Sequence, residues 1–137
     1  MQVDIQRQLS IAIENQPGRL GQVGRLLAGR NIHIRAFSVI DNVEQGMVRL
    51  VTDNPTATRE ALTGAGLPVV EAEVVVLEMT DGVGNLATVG EALAKADINI
   101  EYAYASTAER GRPAMLILKT AYPAATRDAL AQTQELS

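Results

Sequence analysis

The chain aligns on itself, and this internal duplication limits what it can fold into more than any other feature. At an offset of 66 residues Gly18 falls on Gly84, Leu20 on Leu86, Val23 on Val89 and Leu27 on Leu93; Ala28, Ile32 and Ile34 then fall on Ala94, Ile98 and Ile100. Beyond residue 46 the offset grows to 68, which puts two extra residues in a loop of the second copy. With that shift, residues 47–62 lie on 115–130 with nine identities in sixteen positions: Met47, Leu50, Thr52, Pro55, Ala57, Thr58, Arg59, Ala61 and Leu62. Fold and function are therefore properties of the repeated unit. The expected units are residues 1–72 and 73–137.

Each copy reads as βαββα, with a further strand in the first. Leu9, Ile11 and Ile13 alternate with polar or small neighbours, the period of a half-buried strand. After a Pro-Gly turn, Leu20, Val23 and Leu27 recur at the i, i+3, i+7 spacing of an amphipathic helix that Gly29 is expected to close. Ile32, Ile34 and Ala36 resume the alternation, residues 41–46 read as a hairpin connection, and Met47 to Thr52 as the third strand. Asn54-Pro55 offers a helix start and Gly64 and Gly66 an end. Val69 to Met79 reads as one extended segment, last strand of the first copy and first of the second, with no room for a linker. The class is α+β: two ferredoxin-like βαββαβ units in tandem, each an antiparallel sheet with both helices on one face. By the repeat, the second unit's last strand should begin near Glu135. It is expected to be short or missing, or supplied by a neighbouring chain, and an open edge favours association.

Composition removes whole classes of function. With one Phe, three Tyr and no Trp, the core must be aliphatic. The absence of cysteine excludes disulfides, thiol nucleophiles and thiolate metal sites. A net charge of −4, with mixed signs along the chain, gives no basic face for nucleic acid. No helix joins a basic face to large apolar anchors for a membrane surface. The N-terminus lacks the apolar core of a secretory signal, so a cytoplasmic location is expected. No cofactor or metal is implied.

The candidate chemistry lies in the turns between first strand and first helix, Asn15-Gln16-Pro17-Gly18-Arg19-Leu20 and Asp81-Gly82-Val83-Gly84-Asn85-Leu86. Glycine at 18 and 84 permits a tight turn and close approach of a ligand. The N–H groups that open the following helix have no intrahelical acceptor and suit a carboxylate. The side-chain oxygen of Asn15 or Asp81 suits an ammonium. Together these are the needs of an α-amino acid. The same residues also fit a plain strand–helix turn, with Asn15 and Asp81 as N-caps. His33 is the only histidine, which excludes a His-rich metal site and leaves any Ser-His-Asp triad without partners. It reads either as a solvent-facing strand residue or as a ligand contact titrating near neutrality. Tyr102 and Tyr104 share one face of their strand and read as packing residues.

ENQPGRL followed by NIHI resembles the pattern of ACT domains, and TDGVGNL followed by INIEY resembles a second, less regular instance with Val83 in place of the usual Pro. The resemblance covers nearly the whole chain, in the length and order of stand-alone tandem ACT proteins. It implies allosteric regulation by a free amino acid bound between two ACT units that pair through their second strands. The implied crossed site joins Asn15 to Asn99, and Asp81 to His33. It further implies a homodimer, a metabolic enzyme or regulator as partner, and no catalysis. The alternative is an interaction module that kept the fold and lost the ligand.

Overall fold

The structure, a computed structural model, describes residues 2–14, 16–42, 45–79, 85–106 and 114–133. Its elements run β1 (Val3–Glu14), α1 (Arg19–Ala28), β2 (Ile34–Asn42), β3 (Gln45–Thr52), α2 (Pro55–Gly64), β4 (Val69–Met79), α3 (Asn85–Lys95), β5 (Ile100–Ala105), β6 (Ala114–Thr120) and α4 (Pro123–Ala131). The chain divides into two compact units, Arg7–Ala72, and Glu73–Ser137 together with Met1–Gln6. Both β1 and β4 thus contribute a segment to each unit.

In the Arg7–Ala72 unit the strands lie in the order β2-β3-β1-β4. Leu9 faces Leu50 and Ile11 faces Val48 across the antiparallel β1–β3 pair, and Val39 faces Val48 across β2–β3. One face of this sheet carries both helices. Ile11, Val48 and Leu50 pack there with Val23 and Leu27 of α1, Ile32, and Ala61 and Leu62 of α2. The other unit repeats the core by the offsets of the sequence: Leu77, Leu116 and Leu118 with Val89 and Leu93 of α3, Ile98, and Leu130 of α4. Its strand order, β1-β4-β6-β5, is the same ferredoxin-like order read with β4 as first strand.

That order corrects the expectation about the last strand of the second unit. The start of β1 takes that place beside β4. The Glu78 N–H donates to the Gln2 carbonyl at 3.1 Å, and Val3 and Ile5 pack against the Val75–Leu77–Leu118 core. Val3 and Ile5 give this first segment of β1 its own apolar side chains, separated from Leu9 by Arg7. β2 pairs with β3 and β5 with β6, so each second strand ends its unit's order.

Local chemistry repeats as faithfully as the core. Asn54 caps α2 by accepting from the Ala57 N–H at 3.1 Å, with Pro55 at the first position. Thr52 and Thr58 hydroxyls meet at 2.7 Å, buried, and Thr58 donates onward to the Asn54 carbonyl. Thr120, Thr126 and Tyr122 reproduce this clasp. Helix closure departs from expectation at one point. Gly29 is right-handed (φ −64°), and the left-handed position falls to Asn31 and, in the second copy, Asp97, both at φ 57°. The N–H of Ile32 then reaches the Leu27 carbonyl, and that of Ile98 the Leu93 carbonyl, which seats an apolar side chain beneath each helix end. Gly66, at φ 82°, closes α2 in the same way through Leu67 and Leu62.

Two tests follow from this packing. Ile5→Ala should destabilise the Glu73–Ser137 unit by about 1–2 kcal/mol, less than for a fully buried isoleucine; urea unfolding of the variant measures it. Arg7 donates to Thr56 and to Glu71, and Arg59 also pairs with Glu71 at 3.4 Å. The hydrogen bond from Arg7 holds the Glu71 carboxyl below its usual 4.5, against a smaller opposing effect of burial. A depressed folded value stabilises above the unfolded one and is lost as pH falls through the folded one. Wild type should therefore exceed Glu71→Gln in melting temperature at pH 7, with the gap narrowing below pH 4.5.

Candidate functional site

The turn after β1 is shaped by Gly18. It is the N-cap of α1, its φ of 87° lies in the left-handed region, and no side chain caps the helix. A Cβ at this position would meet nothing within 4 Å, so the glycine is required by backbone conformation and not by crowding. The Gln16 N–H donates to the Glu14 carbonyl at 2.8 Å, and the Gln22 N–H to the Gly18 carbonyl at 3.0 Å. The first turn of α1 holds no acidic side chain, which leaves its N-terminal partial charge to whatever lies in front of it.

What lies there is a recess of about 190 Å³, lined by Ile13 and Glu14 at the end of β1, by Gln16, Gly18, Leu20 and Gly21, and by Val39, Asp41 and Gly46. Register explains the company. Ile13 faces Gly46 and Gly46 faces Asp41, so the ends of β1 and β2 and the start of β3 meet beside the turn. Gly46 keeps this end of the sheet low, since a Cβ there would already touch the Ile13 side chain at 3.5 Å.

Of the residues expected at the site, Gln16, Gly18 and Leu20 come together in this recess, and Pro17 stands exposed in the turn. Arg19 lines a different recess, of about 470 Å³, with Gln22, Val23, Leu26 and Leu67. There its guanidinium pairs with Glu14 at 2.9 Å and donates to Gln22. Both partners are substantially exposed, so the pair fixes geometry more than it stabilises. His33 and Asn99 precede β2 and β5 and are exposed. The His33 N–H donates to the Asp53 carboxylate at 3.0 Å, and the Asp53 N–H returns to the His33 carbonyl at 3.1 Å. Eight residues separate His33 from Asp41, roughly 25 Å along a strand, so His33 is remote from the recess of its own unit. Leu86 repeats the exposure of Leu20, and Asn85 opens α3. Asn15, Asp81, Gly82, Val83 and Gly84 lie outside the described residues. Sequence reasoning missed Val39, Asp41 and Glu14. Only the strand register connects them to the turn, although Glu14 stands next to Asn15.

Two duplicated ferredoxin-like units, the first of them opening its first helix on a turn shaped by Gly18, define the class. The family model described as the ACT domain pair matches residues 3–136, and the chain belongs to that family. A protein from Bacteroides thetaiotaomicron is similar in structure, with a TM-score of 0.86 and 27% identity over 95% of this chain and 89% of that one. The regulatory subunit of aspartate kinase from Thermus thermophilus, in its ligand-free form, has a TM-score of 0.68 at 20% identity, over 96% of each chain. The corresponding subunit from Thermus flavus has a TM-score of 0.62 at 24% identity, over 97% of each. These two likenesses show the fold. No curated protein matches the sequence. No described helix is long and apolar enough to cross a membrane.

The turn makes a direct prediction. Gly18→Ala should cost about 1–2 kcal/mol, the strain of a left-handed residue with a Cβ. Gly18→Asn should cost less, because asparagine tolerates that region. Urea denaturation of the pair measures the difference; equal costs would mean that φ at position 18 is not what selects glycine.

Proposed function

We propose that this protein is a non-catalytic regulatory protein that binds a small neutral α-amino acid at the turn after β1. The observation that carries the reading is the recess itself. It joins an uncapped helix N-terminus to the carboxylate of Asp41 over an apolar wall of Ile13, Leu20 and Val39. The helix start suits the ligand carboxylate, and Asp41, with Asn15 nearby in sequence, suits its ammonium. At about 190 Å³ the recess is smaller than the roughly 300–1,000 Å³ of pockets for drug-sized ligands, which favours a small side chain. The second copy would offer the matching loop of Asp81, Gly82, Val83, Gly84, Asn85 and Leu86.

Membership of the ACT domain pair family supports a regulatory role, as does the likeness to two regulatory subunits of aspartate kinase. By that analogy occupancy is passed to a partner protein, a metabolic enzyme or regulator, in the cytoplasm. β2, the last strand in its unit's order, lines the recess through Val39 and Asp41, and a homodimer would place a second copy near it. A few charge-assisted hydrogen bonds of about 1.5–3 kcal/mol each, less the costs of association, give micromolar to millimolar binding. That range suits the sensing of a metabolite pool.

A thermal-shift panel of free amino acids tests this. One or a few small neutral amino acids should raise the melting temperature of the wild type. Calorimetry on Gly18→Val should then show affinity for the same amino acid reduced tenfold or more. A panel in which nothing shifts the wild type would overturn amino-acid recognition and leave a protein-interaction module.

A further inference from the structure

Two faces of α1 line two different recesses. Leu20 and Gly21 belong to the smaller one, in front of the Gly18 turn. Arg19, Gln22, Val23 and Leu26 belong to the larger, of about 470 Å³, which Ala65 and Leu67 close at the end of α2. That volume falls within the roughly 300–1,000 Å³ of small-molecule sites. Ile13, Leu26 and Leu67 are half-buried there, packed on the core through one side and lining the recess with the rest.

Duplication supplies a comparison within the chain. Val23 and Leu27, which pack on the sheet, recur as Val89 and Leu93, whereas Arg19 aligns with Asn85 and Leu26 with Ala92. Docking this helix on its sheet therefore requires neither the guanidinium nor the larger aliphatic side chain, and both line the same recess. Nη2 of Arg19 donates to Glu14 at 2.9 Å and Nη1 to Gln22 at 3.2 Å. The other guanidinium N–H groups have no acceptor among the described residues. Both existing bonds are exposed, so either yields at little cost.

We propose that this interhelical recess is a second ligand site, for a small aliphatic carboxylate. The carboxylate takes the Arg19 guanidinium in place of Glu14, and the hydrocarbon covers Ile13, Val23, Leu26 and Leu67. One guanidinium matches one negative charge; a phosphate would bring nearly two beside Glu14. Ile13 and Glu14 line both recesses. A ligand that displaces Glu14 from Arg19 leaves the Glu14 carboxylate to join Asp41 at the smaller recess, where it favours an ammonium. The two sites are thereby coupled with a positive sign, a consequence that rests on the amino-acid reading of the smaller one.

Isovalerate is the probe, and isovaleramide, similar in shape but uncharged, is its control. In NMR titration of the full chain, isovalerate should bind in the millimolar range and shift the methyl resonances of Val23, Leu26 and Leu67. Isovaleramide should bind at least tenfold more weakly. Arg19→Gln should weaken isovalerate at least tenfold, and Ala65→Phe, which puts a ring into the recess from an exposed position at the end of α2, should abolish binding. Arg19→Gln reads the same site should the ring at position 65 disturb the fold. Equal binding of acid and amide, shifts confined to Leu20 and Val39 at the smaller recess, or no shift at all would overturn the site. With isovalerate bound, binding of glycine, alanine, serine or threonine should tighten at least about fivefold. Affinities left unchanged would overturn the coupling. Failure of all four to bind would remove the coupling together with the amino-acid reading, while the isovalerate shifts would still support the second site.

Discussion

A strand edge with nothing beside it is the constraint on which this structure turns. A ferredoxin-like unit needs four strands, because its first strand is central in the order and would otherwise expose a row of backbone donors and acceptors. The two units meet that need with two long strands. β1 spans twelve residues and β4 eleven, about twice the common length, and each gives one segment to one unit and the remainder to the other. The Glu78–Gln2 hydrogen bond and the packing of Val3 and Ile5 stand in the second unit where Leu67 and Val69 stand in the first. Stability of the Glu73–Ser137 unit therefore depends on residues at the far end of the sequence.

Around that frame, duplication preserved the parts that terminate and clamp elements. The Thr52–Thr58 and Thr120–Thr126 clasps satisfy four buried hydroxyls that would each be costly without a partner. Asn31 and Asp97 take the left-handed position at equivalent helix ends, although glycine stands two residues before the first of them. The caps diverged where packing allows it. Asn54 holds α2 through its side chain, while Tyr122, its counterpart before α4, makes no such bond and is exposed.

Much of this is legible in the sequence. Val69–Met79 appears as one strand, as the lack of room for a linker between the copies implied, and α2 begins at Asn54-Pro55 for the reason its residues suggest. What escaped notice has physical causes. Arg7 interrupts the alternation between Ile5 and Leu9, and so hides that β1 starts at Val3. Gly29 carries the stronger propensity for a left-handed turn, yet the seat for Ile32 beneath Leu27 places that turn at Asn31. At the site, Gly18 and Leu20 were visible from the turn alone. Val39 and Asp41 were not, because their place depends on a register that runs through Gly46.

The exchange of strand segments is the claim on which everything else rests, and hydrogen exchange tests it most directly. Amide protection would be compared between the full chain and a chain beginning at Arg7. Removal of residues 1–6 should strip protection from Glu73–Met79 and from α3 and α4, which pack on it, while Val48–Val51 in the other unit stays protected. Unchanged protection across Glu73–Met79 would contradict the account, because it would mean that the first residues of the chain complete nothing.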